Sequence, residues 1–529
     1  MEGTARAQWL WEEVQGVLQA EVVREAEALC RGDLRAIEVR LQALLRRVGG
    51  VLLGGVAHVR LAELAGERPV CPGCGGTVRS VGRRPRTLVG LVGEVTVQRP
   101  YYHCAACRAG MAPLDAAWGL GSGSLSPELA RVVCRDAIEA PFAQAADLVH
   151  EHLGVHLDAE AVRGIAEAAG ALVEADQQDP TCWAPAPDAR IPAVIALEVD
   201  GVMVHEVAAW HEMKVGRVAP LGPALVQDRA SGEAHLALGP STYCVGREAA
   251  AVFWPRVMRE VVRAGWGRGV RVVVLIADGA DWIWKQARCQ LRRDGVALVE
   301  ILDFYHATEH LADVAKAVFG AGSLRANDWL EQQCHALRHQ GPRPVRRALA
   351  KLRPPTVAAA DLVRATAAYF RTHAQRMHYP AFCARHFPIG SGAIESGAKN
   401  LIQARQVQAG MRWTTPGAQC LASLRALHRS GRWAAFWQSQ PQARLRLLPG
   451  GRSADPAAAP TPEAACPSAA AGAAPAAPVP AVPPASPAAV PPPVPVLPAA
   501  GAQRIQTAGK PWWQHRAWSD RSFCHRRSA

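Results

Sequence analysis

Two apolar runs that each lead into Asp-Gly constrain the fold of this chain more than any other feature. Residues 193–199 lead into Asp200-Gly201, and residues 272–277 lead into Asp278-Gly279. Short apolar runs that stop at polar residues are typical of buried strands, so each run predicts a strand that delivers a carboxylate to a sheet edge. An Asp-Gly pair also turns a chain at a strand end, and for either pair alone that interpretation stays open.

If the two strands are sheet neighbours, their carboxylates lie close together. Adjacent strands are about 4.8 Å apart, which puts Asp200 and Asp278 about 5 Å apart at the backbone. Carboxylates that close repel each other unless a cation lies between them. The pair therefore predicts a site for Mg²⁺ (or Mn²⁺), because Mg²⁺ binds carboxylate, phosphate and water oxygens.

The order of the predicted elements indicates an α/β fold with a mixed sheet. Three strands precede a helix, the strand at 272–277, a second helix and a strand at 297–302 that ends at Asp303. This is the order of a ribonuclease-H-like sheet, an antiparallel meander with parallel additions, in which the first and fourth strands are neighbours. We assign residues 190–440 to this domain and the helical, strand-free stretch 321–385 to an insertion within it.

A Gly-rich segment after the insertion contributes another carboxylate. Ser391 is a predicted helix cap, which places Glu395 in the first helical turn, where the helix dipole also favours a negative charge. Lys399 follows one turn later on the same face. The alternative interpretation is an ordinary Glu395–Lys399 pair of the kind that stabilises many helices.

Four cysteines predict a structural zinc site. Cys71 and Cys74 form one C-x2-C pair, and Cys104 and Cys107 form a second. Two such pairs around strand-like stretches are typical of a zinc ribbon, which we assign to residues 66–120. Because four thiolates close the coordination shell of Zn²⁺, the predicted site is structural rather than catalytic.

The charge of the chain suggests a polyanionic partner. The formal net charge is +13, which favours nucleic acid without establishing it. Residues 121–178 have the outline of a helix-turn-helix, with a break at Gly154, although any helical hairpin shares this outline. The candidate DNA contacts are Arg83, Arg84, Arg163, Lys399 and Arg412.

The remaining segments carry weaker signals. Residues 1–65 predict a helical lead-in, residues 451–503 an Ala/Pro-rich disordered linker, and residues 504–529 a basic tail that suits nucleic acid or nothing specific. The polar N-terminus predicts no signal peptide, no stretch is long and apolar enough to predict a membrane span, and the cysteines are not spaced as a disulfide framework. We therefore expect a cytoplasmic location.

Six motifs in this order resemble the ISKra-type family of bacterial insertion-sequence DDE transposases, within the Mutator-like group. The family resemblance covers about residues 70–437. Its motifs lie at residues 101–107, 198–201, 277–284, 302–310, 388–395 and 410–413. The long linker and the basic tail depart from the family pattern.

This resemblance implies a ribonuclease-H-like catalytic domain whose acidic triad is Asp200, Asp278 and Glu395. In such a site two Mg²⁺ ions activate the attacking water or 3′-hydroxyl and stabilise the leaving oxygen. Asp303 and His306 resemble the Asp-x-x-His signature of the wider group, which adds both to the expected catalytic residues. For His306 a role as a capping or core histidine stays open.

The expected partners are DNA, as transposon ends and as target, and further copies of the chain. The expected location is the bacterial cytoplasm, in association with the nucleoid. Two other functions stay open: a ribonuclease-H-like nuclease or resolvase that cuts without joining, and a non-catalytic zinc-ribbon DNA-binding regulator derived from a transposase.

Overall fold

The structure is a computed structural model that describes residues 3–66, 69–120, 123–179, 182–183, 190–227 and 234–439. The predicted linker at 451–503 and the basic tail at 504–529 lie outside the described residues. None of the helices within these ranges is long and apolar enough to cross a membrane.

A long helical hairpin opens the described chain. Helix α1 (Gly3–Arg31) is followed by α2 (Leu34–Leu64), and the side chain of Asp33 caps α2 by accepting a hydrogen bond from the N–H of Ala36. Val14, Leu44 and Val48 form the small apolar core between the two helices. The hairpin therefore uses one face of α2 to bind α1.

The predicted ribbon is a three-stranded antiparallel sheet that packs against α2. Its elements are β1 (Arg79–Gly90), β2 (Gly93–His103), β3 (Gly110–Met111) and the short helix α3 (Pro113–Ala117). Ala57 of α2 packs with Val97 and Leu114 in their common core. A second face of α2 is thus buried by the ribbon.

Three helices follow, and they join the core of the main domain. They are α4 (Pro127–Ala137), α5 (Phe142–Leu153) and α6 (Ala159–Gln178). Gly154 ends α5 with a φ of 60°, and Asp158 caps α6. Helix α6 packs along α16 (Thr415–Arg429), so much of its length is buried.

A mixed sheet forms the centre of the main domain, which confirms the predicted α/β class. The strands are β4 (Val194–His205), β5 (Trp210–Gln227), β6 (Ala234–Leu238), β7 (Thr242–Gly246), β8 (Val272–Ala277) and β9 (Ala297–Leu302), with α7 (Ala250–Arg263) and α8 (Asp281–Gln290) between them. The order is β6-β5-β4-β8-β9, and β7 pairs with β5. Strand β4 is antiparallel to β5 and parallel to β8, which is in turn parallel to β9.

One expectation about β4 is wrong. The strand does not end at Asp200-Gly201 but continues to His205, because β5 goes on pairing with it as far as His205 and Trp210. The parallel pairing with β8 does stop near this point, since its last pair is Glu198 with Ile276. Asp200 therefore lies within β4, just beyond the point where the parallel pairing of β4 with β8 ends.

Helices make up the rest of the described chain. They are α9 (Phe304–Phe319), α10 (Leu324–Gln340), α11 (Pro342–Lys351), α12 (Val357–Thr372), α13 (Tyr379–Ala384), α14 (Gly392–Ala398), α15 (Ala404–Gln406), α16 and α17 (Trp433–Ser439), with a 3-10 turn at Ala374–Arg376 and a π-helical turn at Lys399–Gln403. The stretch 321–385, all of it described, contains only helices and loops. It separates β9 and α9 from α14.

Candidate active site

Asp200 and Asp278 occupy equivalent positions on neighbouring parallel strands. The last pair between β4 and β8 joins Glu198 to Ile276, and each aspartate follows its member of this pair by two residues. Because the carboxyl ends of parallel strands meet at one edge of a sheet, both side chains reach the same edge.

Asp303 lies at the same edge, one strand further on. The last pair between β8 and β9 joins Ala277 to Leu302, and Asp278 and Asp303 follow immediately. Asp303 is buried, with 2% of its surface exposed. Its carboxylate caps α9 by accepting a hydrogen bond from the N–H of Tyr305 at 2.9 Å.

Glu395 reaches this edge from the first turn of α14. Ser391 occupies the N-cap position, but its hydroxyl does not cap the helix as predicted. It donates instead to Asp303 Oδ2 at 2.5 Å, and Glu395 Oε1 lies 3.4 Å away. The physical reason is that an ionised carboxylate attracts a hydroxyl proton more strongly than a backbone N–H attracts the hydroxyl oxygen.

These side chains line one open cleft of about 150 Å³. The residues that line it are Val199, Asp200, Asp278, Asp303, His306, Glu309, Ser391, Ile394 and Glu395. All five candidate catalytic residues are among them. The structure therefore brings together, from four separate elements, the residues that the sequence nominated.

Burial and neighbouring carboxylates raise the pKa values of two acids in the cleft. Burial raises the pKa of Asp200 to about 6, and the negative charges of Asp278 and Glu395 act in the same direction. Burial also raises the pKa of Asp303 to about 6, although its hydrogen bonds from Ser391 and Tyr305 oppose this rise. A carboxylate whose ionised form is disfavoured in this way would be stabilised by a nearby cation.

His306 places an imidazole at this edge. It lies in the first turn of α9, and its Nδ1 is 3.5 Å from Glu309 Oε2. The contact with Glu309 raises the pKa of His306, and the charges of Asp278 and Asp303 raise it further, although burial opposes them. The imidazole is partly exposed and borders the cleft, so it is not a core histidine.

The helical insertion contacts the cleft through Tyr369 of α12. The hydroxyl of Tyr369 donates to the backbone carbonyl of Asp278 at 2.8 Å. The next residue, Gly279, has a φ of 114°, and a Cβ at this position would lie 2.9 Å from the same hydroxyl. Gly279 thus permits both the backbone turn after β8 and the approach of Tyr369.

A buried ion pair lies beneath Asp200. Glu198 and Arg217, which face each other across β4 and β5, are almost fully buried, and their charged atoms are 3.1 Å apart. Burial raises the pKa of Glu198 to about 7, while the charge of Arg217 lowers it. Because breaking such a pair would leave one buried charge alone, Glu198 and Arg217 are expected to be sensitive to single substitution.

The predicted clustering of Cys71, Cys74, Cys104 and Cys107 is confirmed. Their sulfur atoms all lie within 4.8 Å of one another. Cys74 Sγ and Cys104 Sγ are 3.7 Å apart, close to the roughly 3.8 Å edge of a tetrahedron built on Zn–S bonds of about 2.3 Å. The four thiols could therefore hold a zinc ion.

Both halves of the cluster are shaped by tight backbone turns. The N–H of Cys71 donates to the carbonyl of Gly76 at 2.9 Å, and the N–H of Cys104 donates to the carbonyl of Ala109 at 2.9 Å. Hydrogen bonds from the backbone of Gly73 and Cys74 lower the pKa of Cys71 to about 7. Within the described ranges, no other group of three or more His, Cys, Asp or Glu residues has its ligand atoms this close together.

Two of the candidate DNA contacts lie on β1. Arg83 is exposed, and the guanidinium of Arg84 lies over the ring of Tyr101 at 4.3 Å. A stacked guanidinium keeps its N–H groups available at its edges, because the ring contacts only its face.

The other three candidates differ in their surroundings. Arg163 forms ion pairs with Glu160 and, at 2.9 Å, with Glu167 on α6. Lys399 and Arg412 are exposed, and the described residues contain no ion pair between Lys399 and Glu395. Arg163 is therefore the least suited of the five to bind a phosphate, since its charge is already balanced.

Sequence reasoning missed three residues that shape the cleft. Glu309 follows His306 by one helical turn, so its position on the same face was available as a signal. Ser391 was assigned only as a cap. Tyr369 is 91 residues from Asp278, and no local pattern in the sequence connects them.

Comparisons of the chain with family models and with curated proteins found no match. The cleft and the cysteine cluster are therefore the basis on which a function is inferred.

Proposed function

We propose that this protein is a DDE transposase of the ISKra type, which binds the ends of an insertion sequence and catalyses metal-dependent cleavage and strand transfer of DNA. The observation that carries the proposal is the convergence of Asp200, Asp278 and Glu395 on one open cleft. They come from β4, the end of β8 and the start of α14, elements that are far apart in the chain. Such convergence of three acids is what the chemistry of two metal ions requires.

The strand order supports a ribonuclease-H-like fold for the catalytic domain. Strands β5, β6 and β7 extend the sheet on the antiparallel side of β4, and β8 and β9 extend it on the parallel side. Helix α7 precedes β8, and α8 connects β8 to β9. The sequence predicted an antiparallel meander with parallel additions and the first strand beside the fourth. The sheet has one more strand than predicted before α7, namely β7, so β4 lies beside the fifth strand, β8.

The donor set of the cleft suits Mg²⁺. Its carboxylates offer oxygen atoms only, and burial, together with the charges of Asp278 and Glu395, raises the pKa of Asp200. Asp200, Asp278 and Glu395 would hold the metal. When bound, Mg²⁺ activates a water or a DNA 3′-hydroxyl and stabilises the leaving oxygen of an in-line displacement. Mn²⁺ would serve the same purpose, because it also favours carboxylate and water oxygens.

Other side chains of the cleft orient these ligands and the substrate. Ser391 links Asp303 to Glu395 and so holds α14 against the sheet edge. The imidazole of His306, whose pKa is raised by its contact with Glu309, can donate a hydrogen bond to a phosphate oxygen of the DNA backbone. Because the cleft is open, a long polymer can lie across it.

DNA as the partner is supported by the charge of the chain and by its exposed cations. The formal net charge of +13 favours association with a polyanion. Arg83, Lys399 and Arg412 are exposed, and Arg84 presents the edge of its guanidinium. Contacts of this kind bind phosphates without reading the base sequence.

The test is a cleavage and joining assay with the purified full-length protein. Its substrate is labelled duplex DNA carrying the sequences that flank the gene, with a supercoiled plasmid as target. We expect cleavage at the element ends and joined products in Mg²⁺ or Mn²⁺, and neither in EDTA or with Asp278→Asn.

Each rival function has its own outcome in this assay. Cleavage without joined products identifies a nuclease or resolvase and contradicts the transposase. Specific binding without cleavage in either metal, by wild type and Asp278→Asn alike, identifies a DNA-binding regulator.

A further inference from the structure

The charged side chains that helix α11 of the insertion exposes are all cations. They are Arg343, Arg346, Arg347 and Lys351, and exposed Arg353 follows just after the helix ends. At 3.6 residues per turn the four on the helix fall within about 140° of one another around its axis and extend over about 12 Å. These five residues form a compact cationic surface, which we call the α11 face.

No acidic residue in the surrounding sequence balances these charges. Residues 332–360 contain six Lys and Arg residues and no Asp or Glu. Of the two acids that flank this stretch, Asp361 pairs with Arg364 on its own helix. Within the part of the chain that the structure describes, none of the five cations of the α11 face forms an ion pair. Their positive potential is therefore available to an anionic partner.

The opposite side of α11 fixes the helix within the protein. Val345 and Leu349 are buried there, and the helix packs against α10 and α12. An amphipathic membrane helix inserts its apolar side into the lipid, and the apolar side of α11 is already covered by protein. A lipid surface is therefore the wrong partner for this helix, although its cations alone would suit one.

The length and chemistry of the α11 face fit the phosphates of duplex DNA. One strand carries a negative charge about every 3.4 Å along the axis of the duplex, so a face about 12 Å long matches about three or four phosphates. The face has no aromatic side chain on which an unpaired base could stack. It also has no amide or carboxylate side chain of the kind that reads adenine or cytosine. These features favour a duplex that is held by its backbone, with little regard to sequence.

Helix α12 connects the α11 face to the cleft. The loop from α11 enters α12 at Val357, and Tyr369, near the other end of α12, donates a hydrogen bond to the carbonyl of Asp278. Val357 and Tyr369 are about 18 Å apart along the helix. This separation corresponds to about five base pairs of duplex DNA. A DNA target of ordinary length is therefore long enough to contact both the insertion and the cleft.

We propose that the α11 face binds target DNA through its phosphates, independently of the base sequence. A transposase must distinguish the ends of its element from other DNA by sequence, whereas it captures a target with little regard to sequence. A face made of cations alone suits the second task. The role in target capture rests on the proposed function, and the binding of duplex DNA by this face does not.

The first test measures binding of the full-length protein to a short labelled duplex of random sequence by fluorescence anisotropy across a salt series. One variant combines Arg343→Gln, Arg346→Gln and Arg347→Gln. We expect it to bind at least about tenfold more weakly than wild type at about 0.1 M salt. The slope of log K against log salt should also be smaller by about 2 to 3, because each lost phosphate contact removes about 0.9.

Two controls separate the α11 face from the charge of the chain in general. Replacing the same three arginines by lysine should keep the affinity within about threefold of wild type, because lysine retains the charge. The matched control combines Arg190→Gln, Arg271→Gln and Arg292→Gln, which are exposed and precede β4, β8 and β9 on the side of the sheet opposite the cleft. It removes the same net charge and should bind DNA like wild type. Circular dichroism of each variant checks that the helices remain folded.

The second test separates cleavage of the element ends from joining to a supercoiled target plasmid. The triple Gln variant of α11 should cleave the ends at a rate within about threefold of wild type, because it changes no group of the cleft. At low target concentration it should join them at least about tenfold more slowly, because target binding is weakened. A higher target concentration should restore joining, which a defect in the cleft would not allow.

Three results would overturn the proposal. They are an equal loss of binding in the triple Gln variant of α11 and in its matched control; a loss confined to duplexes that carry the element ends; and a wild type that prefers single-stranded RNA or anionic phospholipid vesicles to duplex DNA through this face. A wild type that binds random duplex through the α11 face but never cleaves would contradict the proposed function and target capture together. The two failures are therefore distinguishable.

Discussion

The four thiols of the ribbon lie close enough together to bind one metal ion, whereas no three carboxylates of the cleft lie as close to one another. All four sulfur atoms are within 4.8 Å of one another. In the cleft, Asp200 accepts a hydrogen bond from the N–H of Gly201, Asp278 from that of Ala280, and Asp303 from the hydroxyl of Ser391. The difference teaches that the four cysteines can close around one ion, whereas the carboxylates are held in place by hydrogen bonds at the edge of a cleft that stays open to solvent.

The largest effect is expected from removing zinc. The ribbon has a small core of its own, centred on Val97 and Leu114, so a bound zinc ion would supply most of its folding free energy, about 10–16 kcal/mol for sites of this kind. Cys71→Ser or Cys104→Ser should abolish the one zinc per chain and expose residues 69–111 to rapid hydrogen exchange. Metal analysis and exchange mass spectrometry of the full chain measure both.

The control for zinc is Cys30→Ser, which changes an exposed cysteine outside the cluster. It should retain the zinc and the protection of the ribbon. If residues 69–111 stay as protected from exchange in excess chelator as in zinc, metal binding does not stabilise the ribbon. The contrast drawn between the thiols and the carboxylates would then be wrong for the thiols.

Loss of a cleft carboxylate should abolish cleavage without unfolding the protein. Asp200→Asn, Asp278→Asn and Glu395→Gln each remove a metal ligand, and we expect a loss of at least about a thousandfold, or about 4 kcal/mol of transition-state stabilisation. Asp200→Asn should also keep or raise the melting temperature, because it removes a charge that burial and its neighbours disfavour. Single-turnover cleavage and thermal unfolding measure the two effects.

Asp281→Asn is the matched control for the carboxylates, since Asp281 is an exposed acid in the first turn of α8 outside the cleft. It should cleave at the wild-type rate. A triad variant that cleaves as fast as Asp281→Asn would remove its residue from the site.

A smaller effect is expected for His306→Ala. The imidazole contacts Glu309 and borders the cleft without being buried in the core. We expect cleavage to slow by about ten- to a hundredfold, as for residues that orient metal ligands or substrate, with a nearly unchanged melting temperature. His335→Ala, on the exposed face of α10, is the control. A variant that loses stability but keeps its activity per folded molecule would show a packing role instead.

The smallest effect is expected for Tyr369→Phe, which removes one hydrogen bond to the backbone of Asp278. A hydrogen bond of this kind contributes about 1 kcal/mol, so cleavage should slow by up to about fivefold, mainly in kcat. Tyr102→Phe in the ribbon controls for loss of a hydroxyl elsewhere. An unchanged rate with Tyr369→Phe would show that the insertion does not position the Asp278 loop.

The sequence predicted the residues of the cleft better than their contacts. Asp200, Asp278 and Asp303 follow apolar runs, and burial of such runs is a local property that a pattern reveals. The sequence also nominated Ser391 but not its partner. Whether its hydroxyl caps α14 or binds a carboxylate depends on how near Asp303 lies, and that distance is set by the fold as a whole.

The fold was predicted in outline and missed in detail for similar reasons. Strand β5 extends from Trp210 to Gln227, but only its buried middle has the apolar pattern of a strand, and its end is exposed. Strand β7, which pairs with β5, was not among the three strands predicted before α7. Tyr369 lies in the helical insertion. The helices of the insertion could be predicted, but no pattern in the sequence indicates where they pack on the sheet.

The position of the helical insertion between β9 and α14 sets an order of events in time. Asp200 leaves the ribosome first, and about 200 residues follow before Glu395 does, which takes roughly 10–40 s at ordinary rates of protein synthesis. Throughout that interval the nascent chain has the aspartates of the sheet edge but not the glutamate that completes the cleft. A chain built in this order therefore has an incomplete cleft until α14 has been synthesised.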